Sequence, residues 1–542
     1  MTKYIFVVGG VISGLGKGIA TSSIGLLLKN RGYKVTAIKI DPYLNVDAGT
    51  MNPTEHGEVF VTRDGLETDQ DLGNYERFLN MELSKDNYMT QGMVWKTVIE
   101  KERNLEYHGK CVQPWQHIPD EIIHRIKKLS NSKNDFVMIE VGGTVGEYEN
   151  LIFLEAGRRM KLEMPDSVMF ILVSYLPIPS KVGEMKTKPT QAAVQTVNSA
   201  GIQPDFILAR SEIQLDEKRK EKISFFCNVP LENIISSPDV ESIYEVPIVY
   251  KNQNLDKKIL KKFYLKEKEK DLKEWQNKIV KNVKKINKVV EIAMVGKYFS
   301  TGDFTLSDSY ISVIEAIKCG AWANGVKAKM TWIDAEKYEK NPQKLEELKK
   351  FDGVVVPGGF GRRGTEGIIS AIKFARVNKI PYLGLCYGMQ LATVEFARNV
   401  AGLKNANTTE IDPQTKNPVI HIMDEQDKIL AGKNYGGTMR LGAYPCKIKK
   451  KSLAYEIYKK QLVFERHRHR YEFNNHFKEI LEKKGIVFSG TSPNGKLIEM
   501  IELNQNEHPF FIGVQFHPEF QSRPLAPHPI FVKFIKKSIT KK

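Results

Sequence analysis

At 542 residues the chain is long enough for more than one domain, and its 41% hydrophobic content is that of a protein that buries full cores. No apolar run approaches a membrane span, and the five cysteines (Cys111, Cys227, Cys319, Cys386 and Cys446) are odd in number, scattered and without a CxxC pair, which argues against disulfides and structural zinc and for a reducing cytoplasm. The net charge of +17 invites nucleic acid as a partner, but the stretch 257–288 alone holds 13 lysines against 4 acids and reads as a solvated helix and linker, so neither nucleic acid nor a membrane is expected as a partner.

Residues 4–8 read as a buried strand, too short for a secretory signal. The glycine-rich run from Gly9 to Gly18 follows, then a helix over 17–31 with Gly32 placed to cap it. Strand, glycine loop with lysine and helix form a phosphate cradle, in which backbone N–H groups face an anion and Lys17 reaches the distal phosphates. The strict Walker spacing fails twice, with Val11 in place of its first Gly and Gly18 in place of its Ser or Thr.

A strand over 34–40 delivers Asp41, and an acid-rich loop over 64–71 holds Glu67, Asp69 and Asp71. A solvated loop is the simplest reading of it; the alternative is that the three acids hold Mg²⁺. A strand over 135–141 brings Glu140 to its C-terminal end, where parallel sheets place phosphate and metal chemistry, and so pairs Glu140 with Asp71 as metal ligands. Another strand, 167–175, leads to Lys186-Thr187-Lys188-Pro189-Thr190-Gln191, suited to a polyphosphate or a base edge, and a strand over 206–209 leads to Lys222.

Beyond a linker over 266–288 the pattern restarts: a strand at 289–295, a helix at 307–322, and strands at 326–333, 353–356 and 380–385. The fold class is therefore α/β with two domains, each a mostly parallel sheet flanked by helices, over 1–265 and 289–542.

The second domain carries a nucleophile signature. Gly384-Leu385-Cys386-Tyr387-Gly388 lies between an apolar strand and a helical pattern, a nucleophile elbow whose thiol sits at a helix N-terminus, where the dipole favours negative charge. Downstream, His517 and Glu519 are two residues apart after an apolar run, so they point the same way if extended. Glu519 then orients His517, and His517 takes the proton of Cys386. The turn Pro357-Gly358-Gly359-Phe360-Gly361 is placed to add an oxyanion N–H to that of Tyr387.

These three separated stretches, in this order, resemble the class I glutamine amidotransferases. Over nearly the whole chain the resemblance narrows: GGVISGLGKG, ETDQDLGNYERF, EVGGTVGE, KTKPTQ and FCNVP, then NANTTE, GGTMRLG, ERHRHRYE and QFHPEF, are similar to CTP synthases. The resemblance implies a P-loop-like synthetase domain that aminates UTP at C4 through a 4-phosphorylated intermediate, with ATP as co-substrate, Mg²⁺, and ammonia from a glutaminase domain. It also implies GTP as allosteric activator, CTP as product and inhibitor, and a homotetramer.

By similarity Ser13, Glu147, Tyr148, Glu149, Lys186 to Gln191 (Thr187, Lys188, Pro189 and Thr190 included) and Lys222 contact UTP or CTP. Gly14, Leu15, Gly16, Lys17, Gly18, Ile19, Asp71, Asp239 and Val240 contact ATP, and Asp71 and Glu140 hold the metal. Gly359, Tyr387, Gly388, Met389, Gln390, Glu410 and Arg470 contact glutamine. Pro238 stands where the family often has a basic residue, and Tyr387 replaces a frequent leucine, with little effect expected because the oxyanion donor is backbone.

Overall fold

The computed structural model describes the whole chain except residues 13, 182, 269–271, 298–299, 302–303, 306, 424–425, 427–435 and 541–542; the expected nucleotide contact Ser13 therefore lies outside the described residues. The chain forms two compact units, Met1–Asp47 with Asp71–Val280, and Ala48–Gln70 with Lys281–Lys542. A short piece of the N-terminal half is thus built into the second unit.

The first unit is a parallel sheet of seven strands: β1 (Lys3–Gly9), β2 (Val35–Asp41), β3 (Tyr88–Thr90), β4 (Phe136–Val141), β5 (Val168–Tyr175), β6 (Phe206–Ser211) and β7 (Ile234–Pro238), in the order β3-β2-β4-β1-β5-β6-β7. Every residue of β2 and β4 is buried, as expected of strands covered on both faces by crossover helices. Helix α1 (Lys17–Asn30) follows β1 directly, entered through Gly14 at φ 71° and Gly16 at φ 77°. The chain turns one way from β1 to β2 and the other way from β4 to β5, so the C-terminal ends of β1, β2 and β4 face a common crevice.

The lysine-rich stretch expected to be solvated is partly anchored. Leu272, Trp275 and Ile279 are buried, and Trp275 packs on Phe78 and Tyr244 while its indole N–H donates to the Tyr244 carbonyl at 2.9 Å. The apolar spacing of these three residues gives the stretch a buried stripe under its charged face.

The second unit holds a nine-stranded sheet: β8 (Val289–Gly296), β9 (Lys327–Asp334), β10 (Gly353–Val356), β11 (Tyr382–Leu385), β12 (Arg440–Ile448), β13 (Leu462–His469), β14 (Ile486–Thr491), β15 (Ile498–Leu503) and β16 (Phe511–Val514). Its order is β9-β8-β10-β11-β16-β15-β14-β12-β13. The strands from β9 to β16 run parallel; β15, β14, β12 and β13 add antiparallel, leaving β13 at an edge. Alternate residues of β10 serve opposite cores: Val354 and Val356 pack with Leu391 and Phe511, and Val355 with Leu383 and Phe534. Helix α2 (Ile311–Ala323) lies behind a 3₁₀ turn, and α3 (Tyr387–Asn399) starts immediately after Cys386, four residues earlier than the apolar periodicity alone indicates.

Candidate active sites

In the first unit a buried cluster occupies the C-terminal ends of β1, β2 and β4. The Lys39 ammonium contacts Asp71, Glu140 at 3.1 Å and Asp41 at 3.8 Å. The Tyr75 hydroxyl donates to the other oxygen of Glu140. Lys17, at the start of α1, donates to the Gly143 carbonyl at 2.6 Å and is buried. Burial, then the neighbouring Asp71, raises Glu140 to about 7 against the pull of Lys39, Lys17 and Tyr75. Burial lowers Lys17, opposed by Glu140, Asp71 and Asp41; burial also works against the Asp71 carboxylate, but Lys39 outweighs it and holds Asp71 below the usual range. An ammonium between the buried Glu140 and the partly exposed Asp71 carboxylates marks a place built for a cation.

Gly18 accounts for the broken Walker pattern: a Cβ there would meet Asp71 Oδ1 at 2.1 Å, so the space of the usual Ser or Thr belongs to this carboxylate. The acid-rich loop is neither solvated nor a three-acid metal site. Phe60–Val61 and Glu67–Thr68 pair as a buried hairpin, and the acids diverge: Glu67 goes to Arg468, Asp69 lies 3.5 Å from His56, and only Asp71 reaches the Lys39 cluster. The sequence places Lys39 in an otherwise apolar run two residues before Asp41, a lysine on the same side of a strand as a carboxylate, and that is the signal that could have singled it out.

Of the other nucleotide contacts expected, Glu147 accepts from the Thr144 hydroxyl at 3.1 Å and Asn150 at 3.3 Å, while Tyr148, Glu149, Lys188 and Lys222 are exposed. Thr187, Thr190 and Gln191 are buried; Thr190 bonds Ser174 at 3.0 Å and Gln191 donates to Thr187 at 3.1 Å. Lys186 pairs with Glu184 at 2.7 Å. Beside Pro238, Arg210 donates to Asp239 at 2.9 Å and to the Pro238 carbonyl at 3.4 Å.

In the second unit Cys386 stands between β11 and α3 at φ 50°, a conformation that costs a non-glycine residue energy and aims its side chain out of the turn. Its N–H donates to the Val514 carbonyl at 2.7 Å, which locks the elbow to the strand leading to His517. His517 Nδ1 and Glu519 Oε1 are 2.7 Å apart. Burial works against the imidazolium, but Glu519, with Cys386 beside the ring, outweighs it and pushes His517 up to about 10. Cys386, His517 and Glu519 line one cavity of about 90 Å³ with Gly358, Gly359 and Arg468. A Cβ on Gly358 would come within 2.9 Å of the His517 ring, which explains glycine there.

Glu410 accepts from the Gly361 N–H at 2.7 Å and is raised by burial. Arg470 donates to Gln426 at 2.5 Å and to Thr438 at 3.1 Å. Gln390 donates to the Tyr471 carbonyl at 3.0 Å. The side chain of Tyr387 is more engaged than expected: its hydroxyl donates to the Gly361 carbonyl at 2.9 Å and lies 3.3 Å from the Lys297 ammonium, tying α3 to the glycine loop. Gln515, whose amide donates to the Cys386 sulfur at 3.6 Å, sits just past the end of β16, two residues before His517.

Comparison with known proteins finds two family matches along the chain. Residues 3–265 match the family model of the CTP synthase N-terminus, and residues 305–537 that of class I glutamine amidotransferases. The chain belongs to the CTP synthase family. It is 54% identical over 98% of its length to a CTP synthase of Pyrococcus furiosus, covering 97% of that protein, and 52% identical over 99% to one of Caldanaerobacter subterraneus, covering 98% of it. A solved structure of the glutaminase domain of Trypanosoma brucei CTPS with bound acivicin is 37% identical, covering 47% of this chain and 95% of that one with a TM-score of 0.43. The reaction of CTP synthases is the glutamine-dependent, ATP-consuming amination of UTP. Among the described residues no helix is long and apolar enough to cross a membrane.

Proposed function

We propose that the chain divides this reaction between its units, the first aminating UTP and the second supplying ammonia from glutamine. The observation that carries the reading is the strained thiol of Cys386 in one cavity with the His517–Glu519 pair. His517, held as the imidazolium, keeps the thiol proton while the Cys386 sulfur attacks the carboxamide carbon of glutamine. The C–N bond breaks as His517 returns the proton to the leaving ammonia, and water then hydrolyses the thioester to glutamate. The N–H of Tyr387, at the start of α3, and that of Gly359 take the oxyanion. Arg470 and Glu410 hold the two ends of glutamine, with Gly388, Met389 and Gln390 forming the floor.

In the first unit Lys17 draws charge from the transferring phosphoryl group, with residues 14–19 around the ATP phosphates and Asp239 and Val240 at its base. Among the described residues no three His, Cys, Asp or Glu side chains form a complete metal-ligand set. One buried and one partly exposed carboxylate beside a phosphate cradle do fit Mg²⁺, which keeps most of its positions for phosphates and water; Asp71 and Glu140 would hold it, and it would neutralise phosphate charge. Phosphorylation of the UTP C4 oxygen makes a leaving group that ammonia displaces. Glu147 to Glu149, Lys186 to Gln191 and Lys222 bind UTP and CTP, the latter as inhibitor. The enzyme works in the cytoplasm as a homotetramer activated by GTP.

Incubation with UTP, ATP and Mg²⁺, with glutamine or an ammonium salt as nitrogen source, tests the reading. CTP forms with either source; absence of CTP from both refutes it.

A further inference from the structure

The run Arg466-His467-Arg468-His469-Arg470 looks like a basic surface patch, yet Arg466 and both histidines are buried. Two of its arginines receive the hairpin of the Ala48–Gln70 segment. Arg466 donates to the Val61 carbonyl at 3.0 Å, and Arg468 Nε donates to Glu67 Oε1 at 2.8 Å. The Glu67 carboxylate is fully buried, and among the described residues its second oxygen has no hydrogen-bond partner, so Arg468 carries its compensation. Around this pair the hairpin is fitted closely. The Arg63 carbonyl accepts from Ala443 at 2.8 Å, and a Cβ on Gly442 would stand 2.7 Å from the Gly65 nitrogen. The Phe60 ring packs 5.0 Å from Phe520, which stacks on His517 at 5.1 Å.

The same strand, β13, faces the triad with its backbone. The Arg466 carbonyl accepts from the His517 N–H at 2.7 Å, and the Arg468 carbonyl takes the Cys386 thiol at 3.8 Å. Residues 466 and 468 therefore contact both members of the thiol–imidazole pair through main-chain oxygens while their side chains hold the hairpin. As an edge strand, β13 has a sheet neighbour on one side only, and the hairpin supplies the side-chain anchors.

We propose that Glu67 is a positioning residue for glutamine hydrolysis: by holding Arg468 it fixes the strand whose carbonyls set the relative placement of Cys386 and His517. The inference rests on the glutaminase reading above. It concerns a residue that touches none of the reacting atoms, so its effect falls on kcat rather than on glutamine binding.

The test compares Glu67→Ala, Glu67→Asp and Glu67→Gln in the full chain. Glutamine hydrolysis, glutamine-dependent CTP formation and ammonium-dependent CTP formation are measured for each, alongside thermal unfolding. Glu67→Ala should lower kcat for glutamine hydrolysis tenfold or more, since displacements near 1 Å at a reacting pair cost up to about a hundredfold. Its KM for glutamine and its ammonium-dependent rate should stay within twofold. Glu67→Gln, which keeps an acceptor at the same reach, should recover at least half of the wild-type kcat, a rescue that a general loss of stability would not produce. If Glu67→Ala does not fold, Glu67→Asp, one methylene shorter, is read by the same criteria. Wild-type kcat in a folded Ala or Asp variant overturns the proposal, as does an equal loss with both nitrogen sources. Failure of the wild-type chain itself to hydrolyse glutamine would instead strike the glutaminase reading.

Discussion

Restoring the Walker-type hydroxyl at Gly18 should inactivate the first unit. The Cβ of Gly18→Ala or Gly18→Ser would lie 2.1 Å from Asp71 Oδ1 and 2.8 Å from its Cγ. Carbon and oxygen atoms rest at roughly 3.3 Å or more, so one partner must yield by about 1 Å. Gly18 lies in the first turn of α1, held by a hydrogen bond from Ala20 to Gly16 at 2.9 Å and another from Ser22 to the Gly18 carbonyl at 2.6 Å. Asp71 is the softer side, and moving it breaks its contact with Lys39. A misplacement of about 1 Å at a reacting centre costs up to roughly a hundredfold in rate, or about 2.7 kcal/mol of barrier. The assay is CTP formation from UTP, ATP and ammonium salt, which bypasses the glutaminase. Both variants should lose on the order of a hundredfold there while basal glutamine hydrolysis persists. A wild-type ammonium-dependent rate in a folded Gly18→Ser protein would remove Asp71 from the phosphoryl site.

Cys386→Ala should abolish CTP formation from glutamine and spare that from ammonium; equal loss of both would show that the thiol is not confined to nitrogen supply. Glu519→Gln should lower glutamine turnover at least tenfold and take away the partner that raises His517 to about 10. That raised value contributes stability fully present below about 6.5, the unfolded value, and lost as pH rises through about 10. The stability gap between wild type and Glu519→Gln should therefore narrow from pH 6.5 to 10, as followed by thermal unfolding, and a constant gap would exclude the ion pair. Arg362 and Arg363 follow the glycine turn over 357–361, the region that the family resemblance links to GTP activation; replacing both with alanine should blunt GTP stimulation of glutamine-dependent synthesis and leave ammonium use unchanged, and stimulation by GTP with both nitrogen sources would place the activator elsewhere.

What the sequence revealed was mostly local. The Cys386 elbow, the glycine loop before α1 and Glu140 at the end of β4 are set by a few neighbouring residues, and each appears where its pattern indicates. Strand ends shifted by a residue or two because terminal pairing depends on the partner strand. The stretch 64–71 reads as a solvated acidic loop because the hairpin strands beside it are two residues each, too short for alternation to register, and the arginines that receive Val61 and Glu67 lie four hundred positions away. Lys39 and Tyr75 gain their roles by converging on Glu140: for Lys39 the spacing to Asp41 is a faint local signal, and for Tyr75 no local spacing announces it. Gly18 was legible as an anomaly, but its cause required the position of Asp71.

The threading of residues 48–70 into the second unit also sets an order of events during synthesis. The ribosome releases this segment long before β13 or the turn after β16 exists. Two-residue strands do not hold as an isolated hairpin, so Val59, Phe60 and Val61, all buried in the finished protein, must wait in water while the first unit forms around their flanks. For most of translation the nascent chain carries an apolar loop with no place to go, a natural target for chaperones and proteases. The acid that ends that loop's neighbour sequence, Asp71, belongs to the first unit throughout. The second unit can therefore be completed only after nearly the last residue has been made.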